Sequence, residues 1–248
     1  MALLVRFVHD GTVYTGTLQG QEVVSDGGRR FPRSQVRLLT PTQPTKVICV
    51  GFNYRDHASE LRWEVPQEPL FFLKPPSALV ADGEPIEYPP FTRQLEYEGE
   101  LAVVIGRRCR CVSREEAPSV ILGYSIVNDV TARDVQRMEK QWVRAKAFDT
   151  SAPYGPVVAT GLDPSNLRIV TRVNGQVRQD SSTRHLIFDV FDLVAAASQV
   201  MTLEVGDVIA TGTPPGVGAL QVGDEVSVEI EGIGVLTNRV VQGFGPVR

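Results

Sequence analysis

The stretch FTRQLEYEGELAVVIG, residues 91–106, alternates apolar and polar side chains and therefore predicts a β-strand. Leu101, Val103 and Ile105 lie on one face of this strand, and Glu98 and Glu100 lie on the other. Residues two apart on a strand have Cα atoms about 7 Å apart, so both carboxylates can reach one ion. Acid pairs are also common on solvated strands. These two residues alone therefore leave open the choice between an exposed face and a metal site.

A second apolar segment, SVILGYSIVND, ends at Asp129. An ionised carboxylate at the end of a buried strand is costly unless it meets a cation or caps the following helix. The residues around Asp129 are compatible with either role, cation binding or helix capping. Together with Glu98 and Glu100 it would form an all-oxygen site that suits Mg²⁺, with Mn²⁺ as the alternative. The three histidines are not paired at ligand spacing, so the sequence gives little support to a zinc site.

Other polar residues lie in contexts that suggest chemistry. His57 and Glu60 are three apart in NYRDHASELR, a segment of helical character, so Glu60 can orient the imidazole as a general base. A surface ion pair is the alternative. Lys74 in FFLKPP and Lys146 in VRAKAFD have apolar neighbours, where a lysine needs an anionic partner unless its ammonium group extends to solvent.

The loop TGTPPGVG, residues 211–218, follows a predicted strand and offers hydroxyl and backbone N–H groups. It lacks the Gly-Lys-Ser/Thr ending of a P-loop, so a nucleotide site is not expected. The pattern indicates either a clamp for a carboxylate or carbonyl group, or a simple turn.

Composition narrows the class of protein. The 248 residues are 22% charged and 42% hydrophobic, which is ordinary for a globular chain with its own core. The net charge of −4 comes without a basic stripe, and no apolar run is long enough to cross a membrane, so neither nucleic acid nor membrane is an expected partner. The N-terminus shows no secretory signal pattern and the cysteine count is odd. We expect a cytoplasmic protein that binds a small molecule.

The pattern of turns and strands predicts two units. Residues 1–40 form short strands with a hairpin at Asp10-Gly11, and the prolines of TPTQPTK mark a boundary. We therefore predict a small N-terminal β domain over residues 1–42 and a catalytic domain over residues 43–248. Apolar spacing predicts one core helix within residues 185–202, and the C-terminal part alternates through short strands. The predicted fold class is mainly β with a few helices, α+β.

Taken in order, the motifs HASE, FFLKP, YEGELAVVIG, NDVTARDVQ, AKAFD and ATGTPPGVG make residues 46–243 similar to the fumarylacetoacetate hydrolase (FAH) superfamily. The resemblance implies a mixed β-sandwich roll, a homodimer and Mg²⁺ as the usual ion. It also implies roles for individual residues: metal binding by Glu98, Glu100 and Asp129; catalysis by His57, Glu60 and Lys146; and substrate binding by Lys74, Arg133, Gln136, Gly212 and Thr213.

The short N-terminal element points to one branch of the superfamily. The hydrolase that names it has a far longer N-terminal domain, so this chain looks like the bacterial 2-hydroxyhepta-2,4-diene-1,7-dioate isomerases with decarboxylase activity and the acylpyruvate hydrolases. We expect a Mg²⁺-dependent enzyme of aromatic catabolism that acts on 2-oxo or 2-hydroxy-enol (di)carboxylates through a metal-bound enolate. The leading expectation is a 2-hydroxyhepta-2,4-diene-1,7-dioate isomerase or 5-oxopent-3-ene-1,2,5-tricarboxylate decarboxylase.

Other activities fit the same residues. An acylpyruvate or fumarylpyruvate hydrolase and an oxaloacetate decarboxylase would use the same enolate. A non-catalytic, metal-dependent dicarboxylate-binding protein is the alternative from another class. The joint presence of His57, Glu60 and Lys146 favours an enzyme, because a binding site needs no general base.

Overall fold

The computed structural model describes residues 1–55 and 67–243, which form twenty strands, three α-helices and several short 3₁₀ turns. The N-terminal strands are β1 (Leu3–His9), β2 (Thr12–Gln19), β3 (Glu22–Ser25), β4 (Arg30–Pro32) and β5 (Arg37–Leu39). The remaining strands are β6 (Val47–Gly51), β7 (Leu70–Lys74), β8 (Leu79–Val80), β9 (Ile86–Tyr88), β10 (Leu95–Tyr97), β11 (Gly99–Ile105), β12 (Ile121–Asn128), β13 (Thr131–Ala132), β14 (Ala152–Ala159), β15 (Arg168–Val173), β16 (Gln176–Ser182), β17 (Val208–Ala210), β18 (Gly218–Leu220), β19 (Glu225–Ile230) and β20 (Gly234–Gln242). The helices are α1 (Arg133–Met138), α2 (Val143–Lys146) and α3 (Val190–Val200).

These strands form three sheets. The largest has twelve strands in the order β4-β3-β2-β1-β14-β12-β11-β17-β6-β7, with β5 beside β1 and β8 beside β14. A five-stranded sheet has the order β16-β15-β19-β20-β9, and a three-stranded sheet has the order β13-β10-β18. The main hydrophobic core joins the first two sheets, since it contains Leu101 and Val103 of β11 together with Ile169 and Val228. The prediction of a mainly β, α+β fold class is confirmed.

The N-terminal strands belong to the largest sheet. Asp10 and Gly11 have φ of 47° and 73°, as both central residues of a two-residue type I′ turn require, so the predicted hairpin of β1 and β2 is confirmed. β1 also pairs with β14, through Leu3 opposite Ala159. The N-terminal element thus shares backbone hydrogen bonds with the main body, and the division at residues 42 and 43 stays a prediction.

The predicted strand of residues 91–106 is divided into β10 and β11, which lie in different sheets with Glu98 between them. The Glu98 N–H donates to the side-chain oxygen of Asn128 at 2.9 Å, in place of a strand partner. Both faces of β11 are buried, because Leu101 belongs to the main core and Ala102 to a second cluster. Glu98 and Glu100 are 6% and 1% exposed. The exposed-face interpretation of the acid pair is therefore wrong.

The predicted core helix is α3, which begins at Val190, within the predicted residues 185–202. Asp189 sets that start: its carboxylate accepts the N–H groups of Phe191 and Asp192, and the Asp192 carboxylate accepts the Asp189 N–H. Val190, Leu193, Val194 and Ala197 are buried on one side of the helix, as their spacing predicts. No helix in the described ranges is long and apolar enough to cross a membrane.

Candidate active site and metal centre

Three buried carboxylates meet where β11 and β12 pair. Gly99 lies opposite Asn128 in this antiparallel pair, and the Asp129 N–H donates to the Glu98 carbonyl oxygen at 2.8 Å. The pairing brings Asp129 beside Glu98 and Glu100, so that one carboxylate oxygen from each lies within 4.8 Å of the others. The structure thus brings together the three residues predicted to bind a metal ion.

Asp129 does not cap the helix that follows. The residue before α1 is Ala132, which has no capping side chain. Asp129 instead accepts a hydrogen bond from Lys146 Nζ on Oδ2 at 2.7 Å. Its Oδ1 lies 2.8 Å from Lys74 Nζ, yet it accepts no well-directed hydrogen bond from the described residues. The capping alternative is therefore wrong, and one buried oxygen of Asp129 keeps a lone pair for another partner.

Glu98 has two cationic partners. Its Oε2 accepts from Lys146 Nζ at 2.8 Å, and its Oε1 accepts from the Arg133 guanidinium group. Burial opposes ionisation, but the charges of Lys146 and Arg133 outweigh it and lower the pKa of Glu98 to about 2. Glu98 is therefore a carboxylate at neutral pH.

Among the described residues, Glu100 has no comparable cationic partner. Its Oε2 accepts the Gly212 N–H at 2.8 Å, which is a neutral donor. Burial, and next the negative charges of Asp129 and Glu98, raise the pKa of Glu100 well above its ordinary value. A cation bound to this carboxylate would offset both the burial and the repulsion from Asp129 and Glu98.

The charges of the whole cluster also favour a bound cation. Among the described residues, the carboxylates of Glu96, Glu98, Glu100 and Asp129 face three cationic side chains, those of Lys74, Arg133 and Lys146. The cluster is short of positive charge, its donors are hard oxygens, and one buried oxygen is not hydrogen-bonded. These features fit a divalent ion such as Mg²⁺ or Mn²⁺.

A cavity beside the acids is lined by six of the predicted site residues: Glu98, Glu100, Arg133, Gln136, Lys146 and Thr213. Its apolar wall comes from Phe52, Phe72 and Trp142. The Trp142 ring makes edge contacts with Phe52 and Phe72, with ring centroids 6.0 and 5.5 Å apart. The site thus combines one strongly charged side with one aromatic side.

Lys74 is placed differently from Arg133, Gln136 and Thr213, the predicted substrate-binding residues that line the cavity. It is fully buried and is not among the residues that line the cavity. Its ammonium group donates to the carbonyl oxygens of Val130 at 3.0 Å and Ser151 at 2.8 Å, and also to the Lys146 carbonyl. With Asp129 as its fourth partner, the ammonium group faces protein oxygens and not the cavity.

Gly212 contributes its backbone to the metal centre. Its φ is +95°, and a Cβ atom there would lie 2.9 Å from Asn53 Cβ and 3.2 Å from the Val50 carbonyl oxygen, so the position needs glycine. Asn53 fixes the neighbouring backbone by donating to the Thr211 carbonyl at 2.8 Å. The result is that the Gly212 N–H, predicted to contact substrate, points at Glu100.

The predicted dyad of His57 and Glu60 lies outside the described residues. Two further residues, which were not predicted, join the site. Glu96 accepts from Arg133 Nε at 2.7 Å, and the spacing of acids in LEYEGE, residues 95–100, could have indicated it. Gln179 contacts both Gly99 and Thr213, and no local pattern indicates it.

Comparison with known proteins agrees with this geometry. Residues 46–241 match the family model described as fumarylacetoacetate (FAA) hydrolase C-terminal. The chain is 46% identical over 224 residues to a mitochondrial oxaloacetate tautomerase of Bos taurus, with 85% of this chain and 71% of the relative covered.

Two solved structures share the fold. A 2-hydroxyhepta-2,4-diene-1,7-dioate isomerase from Mycobacterium marinum superposes with a TM-score of 0.92 at 42% identity, covering 98% of this chain and 99% of the other. A maleylpyruvate hydrolase from Sphingobium sp. SYK-6, in complex with manganese(II) and pyruvate, gives a TM-score of 0.85 at 33% identity, covering 98% and 100%. The predicted FAH-type fold is confirmed. The chain therefore belongs to the fumarylacetoacetate hydrolase family, whose members are enzymes that bind divalent metal ions.

Proposed function

We propose that this protein is a Mg²⁺-dependent enzyme, able to use Mn²⁺, that interconverts the oxo and enol forms of small 2-oxo dicarboxylates. The observation that carries the proposal is the convergence of Glu98, Glu100 and Asp129 beside a cavity that Glu98 and Glu100 line. With Glu96, the described residues place four carboxylates against three cationic side chains. The isomerase and the tautomerase among its relatives both bear names for reactions that move a proton between carbon and oxygen.

Glu98, Glu100 and Asp129 would hold the ion. When bound, it supplies a Lewis acid that draws electron density from a 2-oxo group and so favours loss of a proton from the adjacent carbon. A divalent charge would also turn the cluster from an excess of negative charge to an excess of positive charge. An anionic dicarboxylate is then attracted to a site that would otherwise repel it.

The side chains around the cavity have distinct tasks in this proposal. Lys146 pairs with Glu98 and Asp129, which favours its charged form, so it stabilises negative charge on the substrate and does not act as a base. Gln136 accepts a hydrogen bond from Arg133 on its oxygen, which leaves its amide N–H groups suited to a carboxylate. The aromatic wall limits access of water. His57, oriented by Glu60, would move the proton.

Activities that share the enolate remain within the proposal. Two of them are the activities expected from the sequence: 2-hydroxyhepta-2,4-diene-1,7-dioate isomerase and 5-oxopent-3-ene-1,2,5-tricarboxylate decarboxylase. The similarity to a maleylpyruvate hydrolase favours C–C hydrolysis of acylpyruvates as the second candidate, in which the His57 and Glu60 pair would activate water.

A substrate panel with product identification tests the proposal. Oxaloacetate, 2-hydroxyhepta-2,4-diene-1,7-dioate and maleylpyruvate are each followed by ultraviolet absorbance and NMR, with Mg²⁺, Mn²⁺ or a chelator. We expect metal-dependent conversion between enol and oxo forms. Carbon–carbon cleavage would support the hydrolase instead, and no metal-dependent turnover of any compound would favour the non-catalytic binding protein.

A pair of variants tests the location of the metal centre. Glu100→Gln keeps the size of the side chain but removes the charge, so it should lose both Mg²⁺ binding by calorimetry and turnover. Glu225 is an exposed glutamate on β19, and Glu225→Gln should retain both. Normal Mg²⁺ binding by Glu100→Gln would show that the site is misplaced.

We also infer the homodimer that the resemblance implies. Leu70, Leu73 and Val143 form an apolar surface beside Trp142 and are 44%, 48% and 68% exposed in the single chain. Large apolar surfaces of this kind are often covered by a partner. Light scattering should give twice the mass of one chain, and a mass of 27.2 kDa would contradict the inference.

A further inference from the structure

Gln179 links the metal-binding strand to the loop that lines the cavity. It lies on β16, in the five-stranded sheet, and is 1% exposed. Its Oε1 accepts the Gly99 N–H at 3.1 Å, and Gly99 stands between Glu98 and Glu100. Its Nε2 donates to the Pro214 carbonyl at 2.7 Å and to Thr213 Oγ1 at 2.8 Å. The buried amide of Gln179 thus connects the strand that carries Glu100 to the loop that contains Thr213.

The orientation of this amide follows from its backbone partners. A backbone N–H such as that of Gly99 can only donate, and a carbonyl such as that of Pro214 can only accept. The oxygen of Gln179 must therefore face Gly99, and its nitrogen must face Pro214 and Thr213. The second amide hydrogen is then directed at the Thr213 hydroxyl.

The same reasoning fixes the Thr213 hydroxyl. It donates its one hydrogen to the Gly99 carbonyl at 3.0 Å and accepts from Gln179. A hydroxyl has one hydrogen and two lone pairs, so Thr213 has a lone pair and no hydrogen left for a ligand. Thr213 lines the cavity as a hydrogen-bond acceptor, which argues against the clamping of a carboxylate by this hydroxyl.

The loop also packs tightly on β16. A Cβ atom at Gly216 would lie 2.2 Å from the Arg178 carbonyl oxygen, and its φ is +97°. Gly216, three residues after Thr213, thus approaches the backbone of Arg178, the neighbour of Gln179, closely enough to require glycine, and this close approach limits how far the loop can shift toward β16.

We propose that Gln179 is a positioning residue that fixes Gly99 between the two metal ligands and presents Thr213 to the substrate as an acceptor only. The proposal rests on the proposed function for the identity of the substrate. The substrate group that meets Thr213 must carry a hydrogen, so the site selects the hydroxyl of an enol or 2-hydroxy acid at this point. A deprotonated carboxylate at this point would be repelled, because its oxygen would face a lone pair of the Thr213 hydroxyl.

Gln179→Met tests the proposal, because methionine has similar length but none of the three hydrogen bonds. We expect both Mn²⁺ affinity and the affinity for lactate, whose 2-hydroxyl can donate to Thr213, in the presence of Mn²⁺ to fall by about three- to tenfold, the effect of one net hydrogen bond on each. Gln176 is exposed on the same strand, so Gln176→Met should leave both affinities unchanged. Wild-type affinities in Gln179→Met would overturn the proposal.

A double-mutant cycle separates positioning from a general loss of structure. If Gln179 acts on the ligand through Thr213, then Gln179→Met combined with Thr213→Val should bind lactate about as weakly as Thr213→Val alone. Losses that multiply would overturn the proposal. Should Gln179→Met not fold, Gln179→Glu takes its place in the cycle, since it keeps an acceptor for Gly99 and has no amide hydrogens for Thr213.

Ligand pairs test the acceptor role. Thr213→Val should weaken binding of lactate, which has a 2-hydroxyl group, more than binding of pyruvate, and a larger loss for pyruvate would overturn the assignment. None of these measurements needs turnover. A wild type that converts no 2-oxo acid would refute the proposed function, while the Mn²⁺ affinities would still decide the role of Gln179.

Discussion

Replacing Lys74 by methionine removes the ammonium group that joins three backbone carbonyls to Asp129. These carbonyls belong to Val130, Lys146 and Ser151, and they lie in the segment that leads from β12 to β14. Methionine fills nearly the same volume, so the substitution leaves little cavity. The change therefore isolates the polar contacts of one buried cation.

The expected loss of stability follows from what remains buried. Removing one partner of a buried ion pair costs about 3–5 kcal/mol when the other charge is left without compensation. Asp129 keeps Lys146 Nζ at 2.7 Å, so its own share is smaller, and we take this range as the total that includes the lost carbonyl contacts. The carbonyls of Val130, Lys146 and Ser151 also lose a donor, but such effects overlap and do not add. For a chain of this size, about 3–5 kcal/mol corresponds to a fall in Tm of about 6–20 °C.

Urea unfolding in the presence of a chelator measures this loss. Lys140 is exposed, so Lys140→Met is the matched control and should stay within about 0.5 kcal/mol of the wild type. If Lys74→Met unfolded within about 1 kcal/mol of the wild type and raised KM instead, the ammonium group would face the substrate, as the family resemblance implies. The assignment of Lys74 to the support of Asp129 would then be wrong.

Three further predictions concern the metal centre. The pKa of Glu100 is raised in the folded protein, so its contribution to the free energy of unfolding is fully present below its unfolded pKa near 4.5. That contribution is lost as pH rises through the folded pKa, so the metal-free protein should become less stable toward high pH. Mg²⁺ should restore that loss and release a proton, which calorimetry in two buffers of different ionisation heat detects. Gly212→Ala should destabilise the fold by about 1–3 kcal/mol and weaken Mg²⁺ binding, whereas Gly223→Ala, with φ of +100° and no heavy atom within 4 Å of the added Cβ, should leave Mg²⁺ affinity unchanged. His57→Ala should keep Mg²⁺ affinity, measured by calorimetry, and lose mainly water-dependent turnover, measured by product analysis. A loss of Mg²⁺ affinity in this variant would show that His57 is a metal ligand.

Local periodicity was sufficient to select the three carboxylates that the structure brings together. The two-residue spacing of Glu98 and Glu100 and the apolar strand before Asp129 depend on neighbours in sequence, and the structure buries all three. Glu96 continues the same spacing. What periodicity could not give was the choice between an exposed and a buried face, since that depends on the sheet that covers β11.

Residues that act through distant contacts could not be predicted in the same way. Gln179 lies in QVRQDSS, a strand that is mostly polar, and its partner Gly99 is 80 positions away. Lys74 carried a local signal, a cation among apolar residues, but the sequence did not indicate that backbone carbonyls would surround it. Three of its four partners are 56 to 77 residues away.

The division of the predicted strand at Glu98 explains why the acids converge. In one continuous strand, Glu96, Glu98 and Glu100 would project in a row about 7 Å apart and belong to one sheet. The chain instead passes from the three-stranded sheet into the largest sheet at Glu98, whose N–H turns to the Asn128 side chain. Glu96 then pairs with Arg133, while Glu98 and Glu100 meet Asp129. A substitution of Asn128 should therefore disturb metal binding although Asn128 offers no ligand to the ion, and Asn128→Asp, which keeps the acceptor, should disturb it less than Asn128→Leu.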